Sequence, residues 1–377
     1  MKLKTASALT LAVLATLTGW GSALAQTTAP VPAVDADSGV EFSGYLDTSY
    51  NHLSQSNAFT SGTASRVFDL KRNGFAVQQL AFTLAKQPKE GLGGLLNVIA
   101  GEDADIINAY GLGFSDKNKI DLTQAFLQYA SGSITVIGGK YVTLAGAEVI
   151  KSPANPNFSR SILFGYAIPF THTGVRGTYA VDDTLSLMAG VNNGWDDFRD
   201  TNGGKTLELG LTYAPSKAYS LGVQGYRGKE RVGGLTNAGP EGTRNLIDVV
   251  GTFNATEKLS FVVNYDYGSQ KNATLADGAN GAAKWSGIAG YANYQINDQW
   301  RLSGRLEYFD DRDGYRTGVA QKWKEATLTI AYLPIKALEL RTEIRADSSN
   351  VVSFANSSGT GSSRSQQSVG LQAIYSF

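Results

Sequence analysis

From Val40 onward, apolar and polar positions alternate in segments close to the ~9–11 residues that a tilted, membrane-crossing strand requires. Thr173, Val175, Gly177, Tyr179 and Val181 alternate with His172, Gly174, Arg176 and Thr178, and Leu259, Phe261, Val263, Tyr265 and Tyr267 with Ser260, Asn264 and Asp266. Leu185–Val191 and Leu207–Tyr213 follow the same rule. Leu302, Gly304, Leu306 and Tyr308 alternate with Arg301, Ser303, Arg305 and Glu307, and Leu338, Leu340, Thr342 and Ile344 with Glu339, Arg341, Glu343 and Arg345. A sheet lying on a soluble core alternates too. The distinguishing feature is repetition with no capped amphipathic helix between the segments. The chain ends in one more such segment, Val369 to the terminal Phe377, in which only Ile374 breaks the pattern.

The connections alternate as well. Short turns are expected near Gln87–Gly93, Ser131–Gly132, Asp182–Asp183, Pro215–Lys217, Ala255–Lys258, Asn297–Asp298 and Pro334–Ala337. Longer Gly-, Ser-, Asn- and Asp-rich stretches fall near Asn51–Gly74, Asn108–Lys119, Thr143–Thr171, Asn193–Gly204, Gly228–Thr243, Ser269–Ala283, Asp310–Lys322 and Asp347–Ser365. This asymmetry is that of an outer-membrane barrel, with short periplasmic turns and long extracellular loops. The expected fold is all-β, a transmembrane antiparallel barrel of about sixteen strands with both termini on the short-turn side. The early strands, Phe75–Lys86 and Gly94–Ile107, are the least regular. Two aromatic girdles are expected: Tyr213, Tyr219, Phe253, Trp300, Tyr332 and Phe377 toward the periplasm, and Tyr50, Tyr141, Tyr267 and Tyr308 toward the outside.

The N-terminus agrees with export. Lys2 and Lys4 precede an apolar run from Ala6 to Leu17, and Ala23-Leu24-Ala25 is a small-x-small cleavage site. The expected division is a signal peptide over residues 1–25, a linker over 26–39 and a barrel over 40–377. The linker is too short to form a plug, which argues against a gated receptor. Charge adds an exclusion: 33 basic and 33 acidic residues cancel, so nothing points to nucleic acid. Zero Cys removes disulfides and thiolate metal sites. A mean hydropathy of -0.16 looks soluble, but it is what alternating lipid-facing and lumen-facing residues average to.

Residues 121–197 go beyond pattern. They carry DLTQAFLQY (Asp121–Tyr129), GGKY (Gly138–Tyr141), Gly146-Ala147-Glu148, NPNFSRS (Asn155–Ser161), PFTHTGVRG (Pro169–Gly177) and NNGWDD (Asn192–Asp197). The order and spacing of these pieces resemble the OmpL-like β-barrel porin family of Gram-negative outer membranes. The resemblance implies a channel in the cell outer membrane but supplies no substrate; the function expected from the whole reading is passive diffusion of small hydrophilic solutes, with no cofactor. The layout also resembles general porins, with the longest loop third. By that analogy further copies of the chain in a homotrimer are expected; the outward apolar positions imply outer-membrane lipids as partners, and the strand ending in Phe377 resembles the signal read by the barrel-assembly machinery.

A barrel of this size leaves a water-filled lumen in which inward charge stays hydrated. The candidate pore-lining residues are Glu148, Lys151 and Arg160 on the third loop, Arg176, and the set Arg301, Arg305, Glu307, Glu339, Arg341, Glu343 and Arg345. The arginines could form a basic wall, or a salt-bridge ladder that only braces the barrel. The third loop could fold inward as the constriction, creating a transverse field, or lie outside. Two other classes stay in play: a structural or adhesive barrel with a closed lumen, and a barrel hydrolase. The second is disfavoured because His52 and His172 are the only histidines and neither has a recognisable nucleophile arrangement. Carboxylates at Glu102, Asp103 and Asp105 and at Asp196, Asp197 and Asp200 could ligate Ca²⁺, but read better as solvated loop charges, and no metal is expected.

Overall fold

The computed structural model describes residues 39–55, 66–69, 72–112, 119–200, 202–231, 240–355 and 362–377. The expected signal peptide and nearly all of the linker lie outside the described residues. The strands are β1 (Glu41–Leu53), β2 (Gly74–Lys86), β3 (Gly91–Ala100), β4 (Ile120–Ser131), β5 (Ile134–Val142), β6 (Thr171–Ala180), β7 (Leu185–Asn192) and β8 (Thr206–Ser216). They continue with β9 (Tyr219–Arg231), β10 (Glu241–Asn254), β11 (Leu259–Thr274), β12 (Asn280–Asn297), β13 (Trp300–Asp311), β14 (Gln321–Ile335) and β15 (Leu338–Ser349). A two-residue hairpin, β16 (Phe354–Ala355) and β17 (Ser362–Ser363), precedes the last strand, β18 (Ser365–Ser376).

Sixteen of these close into one antiparallel barrel, each beside its sequence neighbour, with β18 pairing both β15 and β1. Closure runs from Tyr45↔Ser376 to Leu53↔Ser368, and Gly44 and Phe377 exchange backbone N–H···O bonds of 2.9 Å. With no free edge, every strand N–H and C=O can be satisfied within the sheet, which a hydrocarbon environment demands. Alternation decides the facing. On β13 the outward Leu306 is 67% exposed while its neighbour Arg305 is 1% exposed. Outward rings gather toward the turn side: Tyr219 stacks on Phe253 at 5.1 Å, Trp300 on Tyr332 at 4.6 Å, and Phe377 meets Phe82 at 6.1 Å.

Three expectations need correction. Residues 102–107 were expected to end a strand, but Glu102–Ile107 is a short helix, α1, beyond the end of β3. Gly101 before it holds φ 132°, and any Cβ there would lie 2.4 Å from the Gln78 carbonyl, so only glycine allows the chain to turn so close to β2. Tyr141 is not in the outer girdle: its ring is 1% exposed and points into the barrel. Strands also reach into stretches expected as loops, with β11 running to Thr274 and β12 starting at Asn280.

The irregular early strands have a cause. β2 pairs β1 as Asp47↔Gln79 and then Thr48↔Val77, leaving Gln78 as an extra bulged residue. Gln78 and Gln79 therefore both turn inward, Gln78 Nε2 donating to Ser49 Oγ at 2.8 Å and Gln79 Nε2 to Asp103 Oδ2 at 2.7 Å. Thr123 is the corresponding extra residue of β4, between Leu122↔Val98 and Gln124↔Asn97. A bulge reverses the alternation locally, so the period-2 signal weakens where these lie.

Candidate functional site

The barrel interior is organised by the loop joining β5 to β6, residues 143–170. Its base is closed by the Thr143 N–H donating to the Phe170 carbonyl at 2.9 Å. Asn155 staples the loop internally, accepting from Val149 N–H at 2.9 Å and donating to the Val149 carbonyl at 2.8 Å. From there the loop meets inward side chains along the arc of the ring that runs from β9 through β15 to β2. Tyr226 of β9 bonds Thr143 Oγ1 at 3.1 Å, and Asn264 of β11 accepts from Ala147 N–H at 3.2 Å. Trp285 of β12 donates to the Ala167 carbonyl at 3.0 Å. Gln79 of β2, across the barrel from β9, donates to the Ile150 carbonyl at 2.9 Å.

The densest contacts come from β13 and β15. Carboxylates there accept from loop N–H groups. Glu343 takes Phe158 N–H at 2.7 Å and Ser159 N–H at 3.0 Å; Glu307 takes Ile162 N–H at 2.9 Å and Leu163 N–H at 3.1 Å. Guanidinium groups donate to loop carbonyls: Arg305 to Ser159 at 2.7 Å, Arg345 to Arg160 at 2.6 Å, Arg341 to Asn157 at 3.2 Å and Arg301 to Pro156 at 3.3 Å. The same strand face thus supplies both partners that an irregular backbone needs once it leaves water. Apolar contacts add to these bonds, with Phe164 packed on Phe68 at 5.6 Å and on Phe170 at 5.4 Å.

The charges also satisfy one another. Arg305 reaches Glu148 of the loop at 2.7 Å, Glu325 at 2.8 Å and Glu307 at 3.3 Å, so one guanidinium holds three carboxylates. Glu307 and Glu325 face each other directly across β13 and β14, a like-charge pairing tolerable only with that guanidinium between them. Arg345 pairs Asp347 at 2.7 Å, and Glu339 is shared by Arg341 at 2.7 Å and by Arg301. On the opposite wall Arg176 pairs Glu208 at 2.9 Å and lies over the Tyr141 ring at 4.2 Å, and Tyr141 donates to Glu208 at 2.9 Å.

The structure thus brings nine of the sequence-selected residues into two buried networks. Glu148, Arg301, Arg305, Glu307, Arg341, Glu343 and Arg345 are buried in contact with the loop or as part of it, with Glu339 half-buried at their edge, and Arg176 belongs to the other wall. Arg160 is buried in the loop, donating to the Ile150 carbonyl at 2.8 Å and lying over the Phe68 ring at 5.6 Å. Lys151 stands apart, exposed on the loop surface. Sequence reasoning did not select Glu208, Glu325 or Asp347, although each sits on the inward parity of its strand. Gln79 and Asp103 carried no such signal, because bulge and helix break the period.

The carboxylate groups at the rim are engaged by the protein. Lys119 pairs Glu102 at 3.1 Å and also Asp105, Asp103 accepts from Gln79, and Asp196 caps Phe170 N–H and Thr171 N–H at 2.8 Å each. Among the described residues no three potential metal ligands converge. His172 is buried, its Nδ1 3.1 Å from the Gly194 carbonyl and its ring stacked on Tyr226 at 5.1 Å, while His52 is exposed at the outer end of β1.

The sequence profile of the family described as "Putative beta-barrel porin-2, OmpL-like" matches residues 39–377. The chain belongs to this porin family. The porin is a protein of the cell outer membrane, and its closed sixteen-strand barrel is the architecture of outer-membrane channels. No curated protein sequence matches at a significant level. Among solved structures, the barrel is similar to the outer membrane channel DcaP of Acinetobacter baumannii, at 18% identity and a TM-score of 0.61, covering 92% of this chain and 99% of that one. It is also similar to an anion-selective porin from Comamonas acidovorans, at 12% identity and a TM-score of 0.63, covering 90% of this chain and 99% of that one. The trimer form of OmpT from Vibrio cholerae matches at 13% identity and a TM-score of 0.59, again over 90% and 99% of the two chains.

Proposed function

We propose that this porin is a passive, non-enzymatic diffusion channel for small hydrophilic solutes and that residues 143–170 are its constriction. The carrying observation is the ring of bonds from the loop to inward side chains of β2, β9, β11, β13 and β15, strands on opposite sides of the barrel. In this reading a loop held from both sides lies across the lumen and narrows it. Below it, toward the turns, Thr178, Ser186, Thr212 and Ser220 of β6 to β9 are half-buried on the inward face. That hydroxyl-rich, uncharged lining suits hydrated solutes. In this reading the buried ladder sets the width of the pore, and charge preference comes from groups that remain accessible, Lys151 among them.

The channel reading also takes in export by the segment over residues 1–25, assembly through the strand ending in Phe377, and a homotrimer like the trimer form of its structural neighbour. The test is single-channel recording of refolded protein in planar bilayers. Regular ohmic steps, enlarged when Glu343→Ala loosens the loop, are the expected result. Folded, inserted protein that passes no current would instead favour a closed, structural barrel.

A further inference from the structure

A second group of arginines lies near the extracellular end of the interior. Arg244 of β10 and Arg316, in the loop between β13 and β14, converge on the same aromatic rings. Arg244 lies 4.8 Å from the Trp195 ring and 5.8 Å from that of Tyr315. Arg316 lies 5.6 Å from Trp195, 5.3 Å from Trp285 and 5.9 Å from Tyr315. Room for the Trp285 ring is made by Gly268 opposite it on β11, where any Cβ would sit 2.0 Å from the indole.

The cluster is unlike the rest of the interior in its charge balance. Among the described residues, neither guanidinium has a carboxylate within ion-pairing distance. Arg244 donates to Gln270 at 2.8 Å and to the Tyr315 hydroxyl at 2.6 Å, and Arg316 Nε donates to the Tyr166 carbonyl. The nearest carboxylates are spent on other donors. Glu230 accepts from Thr206 at 2.7 Å and from Trp195 N–H at 3.3 Å. Asp196 takes Phe170 N–H and Thr171 N–H, and Asp311 takes Thr317 N–H at 2.7 Å and Arg316 N–H at 3.0 Å. Burial, followed by the adjacent Arg244 charge, holds the Arg316 guanidinium below its ordinary value. Arg316 and Tyr315 are only half-buried, so a solute can reach them.

A guanidinium stacked on rings keeps its fork of N–H donors in plane and matched to a carboxylate or phosphate. We propose that Arg244 and Arg316, framed by Trp195, Trp285 and Tyr315, bind the oxyanion group of small solutes at the outer mouth of the channel. Enrichment of such solutes above the constriction rests on the channel reading; the binding itself does not.

Two of the framing residues are tryptophans, so the refolded protein in detergent reports occupancy by its own fluorescence. Titration with sodium acetate and with sodium phosphate, against sodium chloride at equal ionic strength, should give a saturable change for at least one oxyanion and none for chloride. The responding salt assigns the solute group as carboxylate or phosphate. Arg316→Gln should weaken the response at least tenfold, and Arg316→Lys, which keeps the charge but loses the fork, should weaken it less. Circular dichroism checks each fold; if Arg316→Gln does not fold, the lysine variant and Arg244→Gln decide. Absence of saturation, an equal response to chloride, or unchanged titration in the variants overturns the site. Binding without current in bilayers would sink the channel reading and leave the site standing; current without binding does the reverse.

Discussion

The two groups of arginines inside this barrel are buried in opposite ways. Arg305 and Arg345, on β13 and β15, are saturated: each has carboxylates and loop carbonyls on its donors. Arg244 and Arg316 are held against rings, with one or two neutral acceptors each. Removing one member of a buried, hydrogen-bonded ion network leaves the others uncompensated and costs far more than the network contributes relative to an apolar replacement. A guanidinium stacked on aromatics strands no charge when it is removed, because what is lost is cation–π contact and bonds to neutral acceptors. Inward arginine is therefore not one kind of residue here. Where its donors are filled it is scaffold for the loop; where they are not it is a site.

The largest effect should come from Arg305→Ala. It strands Glu148, Glu307 and Glu325 without their common cation, and a loss of about 3–5 kcal/mol is expected. Urea unfolding of the refolded barrel measures it; a loss below 1 kcal/mol would mean that these carboxylates are not buried together. Next is Glu343→Ala, which removes the acceptor for two loop N–H groups and for Thr329 Oγ1 at 2.7 Å. Leaving buried donors unsatisfied costs about 1–3 kcal/mol. The same variant should enlarge the conductance step, because it frees the loop from the β15 side.

A third effect is set by pH and tests how the loop is held on the far wall. Burial lifts the Asp103 carboxyl of α1 to about 7, against the opposing pull of the Arg160 charge, and Asp47 adds to the rise. Gln79 bridges Asp103 to the loop carbonyl of Ile150. The folded carboxyl holds its proton more tightly than the unfolded one, whose ordinary value is ~3.9. Its contribution to stability is therefore complete below that value, falls as pH rises, and is gone above about 7. Thermal unfolding should show stability falling between about pH 4 and pH 7, as the buried carboxyl is forced to ionise. Asp103→Asn should flatten that slope; an unchanged slope would assign it to other groups.

Much of this was legible in the sequence, for physical reasons that also mark the limits. Strict period two on β13 and β15 placed Arg301, Arg305, Arg341 and Arg345 inward, because each flips face with its neighbour and only one face meets lipid. What periodicity cannot convey is depth. The same inward parity describes an arginine in water and one under a loop, so the choice between basic wall and bracing ladder needed the path of residues 143–170. That path is irregular backbone, fixed by partners distant in sequence, such as Glu343 for Phe158. The bulges at Gln78 and Thr123 and the helix α1 hid a third set of contacts, since each breaks the period that made the rest readable. Trp195, Arg244, Trp285 and Arg316 come from four separate segments and meet only when the barrel closes.

The smallest effect is the sharpest test of the contrast. Arg316→Gln removes contacts with three rings and one carbonyl bond but leaves no carboxylate stranded. The rings stay packed, since Trp285 keeps its bond to Ala167 and its edge-on contact with Trp195 at 6.3 Å. Partly exposed cation–π contact is worth about 0.5–1 kcal/mol and the bond to the Tyr166 carbonyl about 0.5–1.5 kcal/mol, so the urea midpoint should shift by less than the Arg305→Ala shift. If the two shifts are equal, Arg316 is scaffold like the ladder arginines, and the distinction between filled and unfilled guanidinium groups does not hold.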